Sequence, residues 1–169
     1  MKKTIFIALF VFICTSVFAQ DFKVPKDYKF ETKEDYKPYE PQIKEAIDWY
    51  LNNTLSADPK IRLEVAQFYM KWIEGTPDVS IGLDSRIITF MGINKELLLV
   101  FMMGWTKYAL DNDHSKDQVL CNKAGVEAAI NFYRKNRGFM KKDKDIEKYE
   151  KLMEKGKLEE DIKKKLEKK

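Results

Sequence analysis

Apolar positions recur at three- and four-residue spacing through most of the chain, the signature of amphipathic helices. Ile43, Ala46, Ile47, Tyr50 and Leu51 make one such face and predict a helix from about Pro41 to Asn53. Ile61, Val65, Phe68, Tyr69, Trp72 and Ile73 make a second. Asp58 followed by Pro59 is a start signal for that helix, because an acidic cap accepts free N–H groups and proline fits the first turn. Gly75 and Pro77 close it. Val79, Ile81 and Leu83 then alternate with polar or small residues, which suits a short extended piece. A brief helix over Ser85–Met91, capped by Asp84, is expected next, with Gly92 as breaker and Asn94 as cap of the following helix.

The next helix, Lys95 to about Leu110, differs in kind. Leu97 to Trp105 is a run without a polar side chain. A helix apolar all round belongs in the middle of a core, and Gly104 within it would let a neighbouring helix approach closely. Asp111–His114 form a turn, and Ser115 with Gln118 match a capping box for a helix running to about Asn136. That helix carries Val126, Ala129, Ile130 and Tyr133 inward, and Gly138 ends it. Ile146, Tyr149 and Met153 make a thin stripe that docks a further helix. A terminal helix from Lys157 has only Leu158, Ile162 and Leu166 to bury and is expected to fray.

Two segments lack this periodicity. Residues 20–40 space Phe22, Val24, Tyr28, Phe30, Tyr36 and Tyr39 between charges and prolines. That is too aromatic for a free linker, so an extended arm lying across the helical body is expected. Residues 1–19 begin with Lys2 and Lys3, continue uncharged from Thr4, and end Val17-Phe18-Ala19, the pattern of a cleavable export signal cut near Ala19–Gln20. The uncharged stretch falls short of the roughly 20 residues that span a bilayer, and Phe12 and Ile13 ahead of Cys14 do not suit lipid attachment. The lysine-led leader and lysine-rich helical body resemble exported proteins of Gram-negative bacteria in style, without a shared motif.

The expectation is therefore an all-α chain. It comprises a signal peptide over 1–19, an extended arm over 20–40, a helical core over 41–140 and a charged C-terminal helical segment over 141–169. The core is a single compact domain of about five or six helices, acting in the periplasm or outside the cell. Without the leader the net charge drops by two from +4, and no transmembrane segment remains. Residues 141–169 hold 12 lysines against nine acids, and the rest is close to neutral. Such a surface has no field to steer it to nucleic acid, and the tail lysines Lys163–Lys165 are interleaved with acids. Cleavage also removes Cys14, leaving Cys121 as a lone thiol in an oxidising space, which favours its burial.

Candidate chemistry is sparse. Asp111, Asp113, His114 and Asp117 place acids as a cation-binding turn would, but Lys116 and Asn122 stand where a calcium loop needs glycine and glutamate. As a nucleophile pair, Cys121 and His114 would be about 10 Å apart along a helix. Trp49, Trp72, Trp105 and the Met102–Met103 pair either line an apolar cleft or fill the core. Asn52-Asn53-Thr54 fits a glycosylation acceptor. No catalytic, cofactor-binding or metal-ligating residue is assigned, and no cofactor is expected. The leading expectation is a non-catalytic binding or interaction protein of the cell envelope, with an envelope or secreted protein as partner. A carrier of a small apolar ligand or lipid, and an enzyme of unknown type, are the alternatives.

Overall fold

The computed structural model describes residues 22–167. The leader over 1–19, its cut at Ala19–Gln20 and Cys14 lie outside the described residues. Among those described, six α-helices and no strand are present. They are α1 (Glu40–Asn52), α2 (Pro59–Ile73), α3 (Glu96–Asp111), α4 (Gln118–Lys135), α5 (Lys144–Glu154) and α6 (Leu158–Glu167). None is long and apolar enough to cross a membrane.

The helices form where the stripes predict. Ile43, Ala46, Ile47 and Tyr50 are the buried face of α1. Asp58 caps α2 by accepting the Lys60 and Ile61 N–H groups, and Pro59 occupies the first turn. The apolar run makes α3 the central helix, with Leu97, Val100, Phe101, Met103, Trp105 and Ala109 buried. It packs along α4 in the most extensive contact of the fold and also touches α1. Gly104 is the reason for that closeness: a Cβ there would stand 2.5 Å from the Ala128 Cβ and 2.8 Å from the Ala124 carbonyl oxygen. Across the interface, a Cβ on Gly125 would stand 2.6 Å from the Phe101 ring.

The arm lies against α2. It contains two 3-10 turns, Lys33–Asp35 and Lys37–Tyr39, that the aromatic pattern did not announce. Tyr28, Phe30 and Tyr39 gather around Phe68, with ring centroids 4.8, 6.2 and 6.2 Å away. The Trp72 indole N–H donates to the Tyr36 carbonyl at 2.9 Å, which satisfies a buried donor.

Four local expectations need correction. Ser85–Met91 is not an α-helix: a turn closed on the Asp84 carbonyl leads into a 3-10 turn over Thr89–Gly92. Ile87, Ile88 and Phe90 are all buried, and the Ile87 carbonyl accepts from the Tyr149 hydroxyl at 2.8 Å while the Met91 N–H turns to Ile88, so a tertiary contact claims the acceptor an α-helix would spend on its own backbone. Asn94 does not cap α3. Its amide instead donates to the Lys141 carbonyl at 3.0 Å and accepts from the Lys141 N–H at 3.1 Å. The cap of α4 is Asp117, which accepts the Val119 and Leu120 N–H groups, and not Ser115. Finally, α6 is docked. Leu158 and Ile162 are buried and α6 packs on both α4 and α5, so a sparse stripe suffices where two helices offer it a surface.

Candidate functional site

The one histidine is the natural starting point. After α3 ends, Asp113 and His114 adopt left-handed backbone with φ of 51° and 57°. Such residues cost about 1 kcal/mol or more each when they are not glycine, and Asp and His tolerate the conformation better than most. Two in succession turn the chain sharply and carry the His114 ring back toward the start of α1. There His114 Nε2 stands 2.8 Å from Glu40 Oε1. Glu40 is the first residue of α1, where the helix dipole favours a carboxylate.

Asp78, in the connection after α2, completes the group. One ligand-capable atom from each of Glu40, Asp78 and His114 lies within 4.8 Å of the others, and all three residues are half-buried. No lysine or arginine among the described residues forms an ion pair with Glu40 or Asp78. One imidazole thus lies close to two carboxylates and is hydrogen-bonded to Glu40.

The acids that adjoin His114 in sequence are used elsewhere. Asp111 pairs with Lys44 at 3.2 Å and Lys107 at 3.3 Å, and Asp117 is consumed as the α4 cap. The residues gathered around His114 are therefore drawn from three separate segments rather than from its neighbours in sequence. No spacing rule could have found Glu40 or Asp78, because neither is near His114 in sequence.

Cys121 is fully buried and its Sγ donates to the Ser115 carbonyl at 3.5 Å. Burial pushes its thiol pKa up, with the Asp117 charge adding to the effect. Its sulfur bonds Ser115, while His114 Nε2 bonds Glu40. Trp72, Trp105 and Met103 are enclosed in the core, while Trp49 and Met102 are partly buried beside it. Two surface grooves are lined by other residues. One of about 360 Å³ lies under the arm against Tyr28, Phe30, Tyr36 and Lys71. One of about 210 Å³ lies beside α1 and α4 against Asp48, Lys107, Phe132 and Lys135.

A second polar cluster links α1, α2 and α3. The Arg62 guanidinium stacks over the Tyr50 ring at 4.6 Å and donates to the carbonyls of Asn53 and Thr54. The Tyr50 hydroxyl donates to Glu96, whose carboxylate lies 4.0 Å from Arg62. This cluster ties helix ends together and closes the corner between α1 and α2.

Among the described residues, five large apolar side chains are exposed: Leu63, Leu83, Met91, Ile93 and Phe139. Ile93 and Phe139 stand out because of where they sit. The paired hydrogen bonds between Asn94 and Lys141 join the loop carrying Ile93 to the loop carrying Phe139. Phe139 is 61% exposed and Ile93 49%, and Lys95, Lys141 and Lys142 around them are exposed as well.

Comparison with protein-family models, with curated proteins and with solved structures finds no match. The all-α architecture of the described residues defines the class of the protein.

Proposed function

We propose that this chain is an exported interaction protein of the cell envelope that acts by binding a protein partner, and that its contact is centred on Ile93 and Phe139. The observation that carries the reading is the tie between the two loops. Asn94 is buried and spends both ends of its amide on the Lys141 backbone. A pair of loops locked in this way presents two apolar side chains to solvent in a fixed arrangement, which lowers the ordering cost of binding. Burying a side chain of this size against a partner is worth about 1.5–3 kcal/mol. Exposed lysines around an apolar centre form the polar rim typical of protein interfaces. They suit a partner with an apolar contact ringed by acids.

The export signal over 1–19 supports the placement outside the cytoplasm. The carrier alternative draws no support from Trp72, Trp105 and Met103, since all three are packed within the core. Capture experiments with the mature chain on envelope extracts of its host test the proposal. Phe139→Asp and Ile93→Asp, each checked for unchanged helicity, are expected to lose a partner that the unaltered chain retains. Capture that survives both substitutions overturns the reading. Capture only of anionic vesicles, or only of a second copy of this chain, overturns the protein partner.

A further inference from the structure

We infer that Glu40, Asp78 and His114 form a binding site for a divalent transition cation, with Zn2+ the best match to the ligand set. The inference stands on different residues from the loop surface at Ile93 and Phe139 and does not rest on it.

Ligand chemistry comes first. Imidazole suits zinc and its neighbours, and carboxylates are accepted ligands alongside it. One histidine and two carboxylates are three protein ligands, which leaves a fourth tetrahedral position for water or an incoming group. That is the composition of an open zinc site rather than a closed structural one. All three residues are half-buried, so none of them is sealed from solvent.

Geometry is the second argument. Ligand bonds of about 2.0–2.2 Å set tetrahedral ligand atoms roughly 3.3 Å apart. His114 Nε2 and Glu40 Oε1 are 2.8 Å apart, and the set with Asp78 falls within 4.8 Å. The first pair has to open by about half an ångström, and the Asp78 carboxylate has to close by no more than about 1.5 Å.

Charge is the third. Two carboxylates balance a divalent cation, and no described lysine or arginine pairs with either of them. The Asp78 carboxylate has no hydrogen-bond or ion-pair partner among the described residues; only its backbone N–H bonds locally, to Thr76. Elsewhere several acids are matched to bases, as Glu150 is to Arg134 and Arg137. Here a negative cluster is left without that neutralisation.

A cation at this point bridges three segments: the start of α1 at the end of the arm, the connection after α2, and the α3–α4 turn. Binding would therefore stabilise the native state by mass action.

The test uses the mature chain stripped of metal with chelator and titrated with Zn2+ alone, read by calorimetry and by thermal unfolding. The expected result is one Zn2+ per chain and a rise in Tm. Asp78→Asn is the decisive variant, because this carboxylate makes no hydrogen bond or ion pair among the described residues. It is expected to weaken Zn2+ at least about tenfold while leaving the metal-free Tm unchanged, and His114→Ala to weaken it by as much or more. Absence of stoichiometric binding overturns the proposal. So does Zn2+ binding that Asp78→Asn leaves intact, which would place the ion elsewhere, for instance at Cys121. Ca2+ binding unaffected by His114→Ala overturns the transition-metal assignment.

Discussion

Gly104 and Gly125 face each other across the α3–α4 contact, and the space each leaves is filled by the opposite helix. The Ala128 methyl, the Ala124 carbonyl and the Phe101 ring all occupy volume that a β-carbon would claim. Carbon atoms in ordinary contact are about 3.5–4.0 Å apart, so the 2.5–2.8 Å approaches cannot be absorbed without moving a helix. Overpacking of this kind costs about 1–3 kcal/mol, against about 1 kcal/mol that alanine gains over glycine in helix propensity. Gly104→Ala and Gly125→Ala are each expected to lower the urea midpoint. Gly138→Ala, with nothing within 4 Å of the added atom, is expected to leave it unchanged or raise it slightly. Equal effects at all three positions would contradict the close approach.

The docking of α6 makes a separate forecast. Ile162 is fully buried, although it lies in a helix whose sequence is mostly charge. Removing a buried isoleucine to alanine costs about 2–5 kcal/mol, and a site near a chain end falls toward the lower figure. A helix that frayed in solution would show no loss at all. Chemical unfolding of Ile162→Ala separates the two, with a drop of about 2 kcal/mol expected.

Alkaline pH bears on the buried tyrosines. Burial raises the pKa of Tyr69 well above its ordinary 10.0, partly offset by its hydrogen bond to Thr106. Tyr50 is raised by burial and then by Glu96, and Tyr149 by burial and then by Asp161. A group whose pKa is higher when folded holds its proton more tightly in the native state. Its contribution is complete below the unfolded pKa and is lost as pH rises beyond it. Stability should therefore stay level up to about pH 10 as far as these groups are concerned, then fall steeply. Urea midpoints taken from pH 8 to 11.5 check this, and Tyr69→Phe should make the fall shallower. An unchanged slope in that variant would remove Tyr69 from the account.

Cys121 offers a simpler measurement. Its sulfur is buried and its thiol is pushed toward the protonated, unreactive form. A thiol-specific disulfide reagent at neutral pH is expected to react with native chain only at the rate of unfolding, and promptly in urea. Fast reaction in native buffer would mean that the start of α4 opens far more readily than its packing suggests.

The helices were legible because their physics is local. A stripe at helical spacing, a proline after an aspartate and a fully apolar run each name an element without reference to anything distant. The fate of α6 was not legible, since Leu158 and Ile162 are worth burying only if α4 and α5 offer a surface. Asn94 and Ser115 depart from the capping pattern for a related reason. Both have the chemistry of a cap, but a tertiary contact to Lys141 claims Asn94, and Asp117 stands better placed than Ser115. The site was the least legible part. His114 drew attention as the lone histidine, yet its partners Glu40 and Asp78 are brought to it by the left-handed turn at Asp113 and His114, which no sequence signal encodes. The lock between Asn94 and Lys141 that presents Ile93 and Phe139 is equally non-local.

The interaction reading is tested most directly by a photo-crosslinking amino acid placed at Phe139 in the full chain, expressed in its own host. The control position is Lys163, exposed on α6 and remote in sequence from both loops. The account predicts a discrete adduct with one envelope protein from position 139, absent from position 163 and lost when Ile93→Asp is added. Adducts that are the same from both positions, or no adduct from position 139, would contradict it.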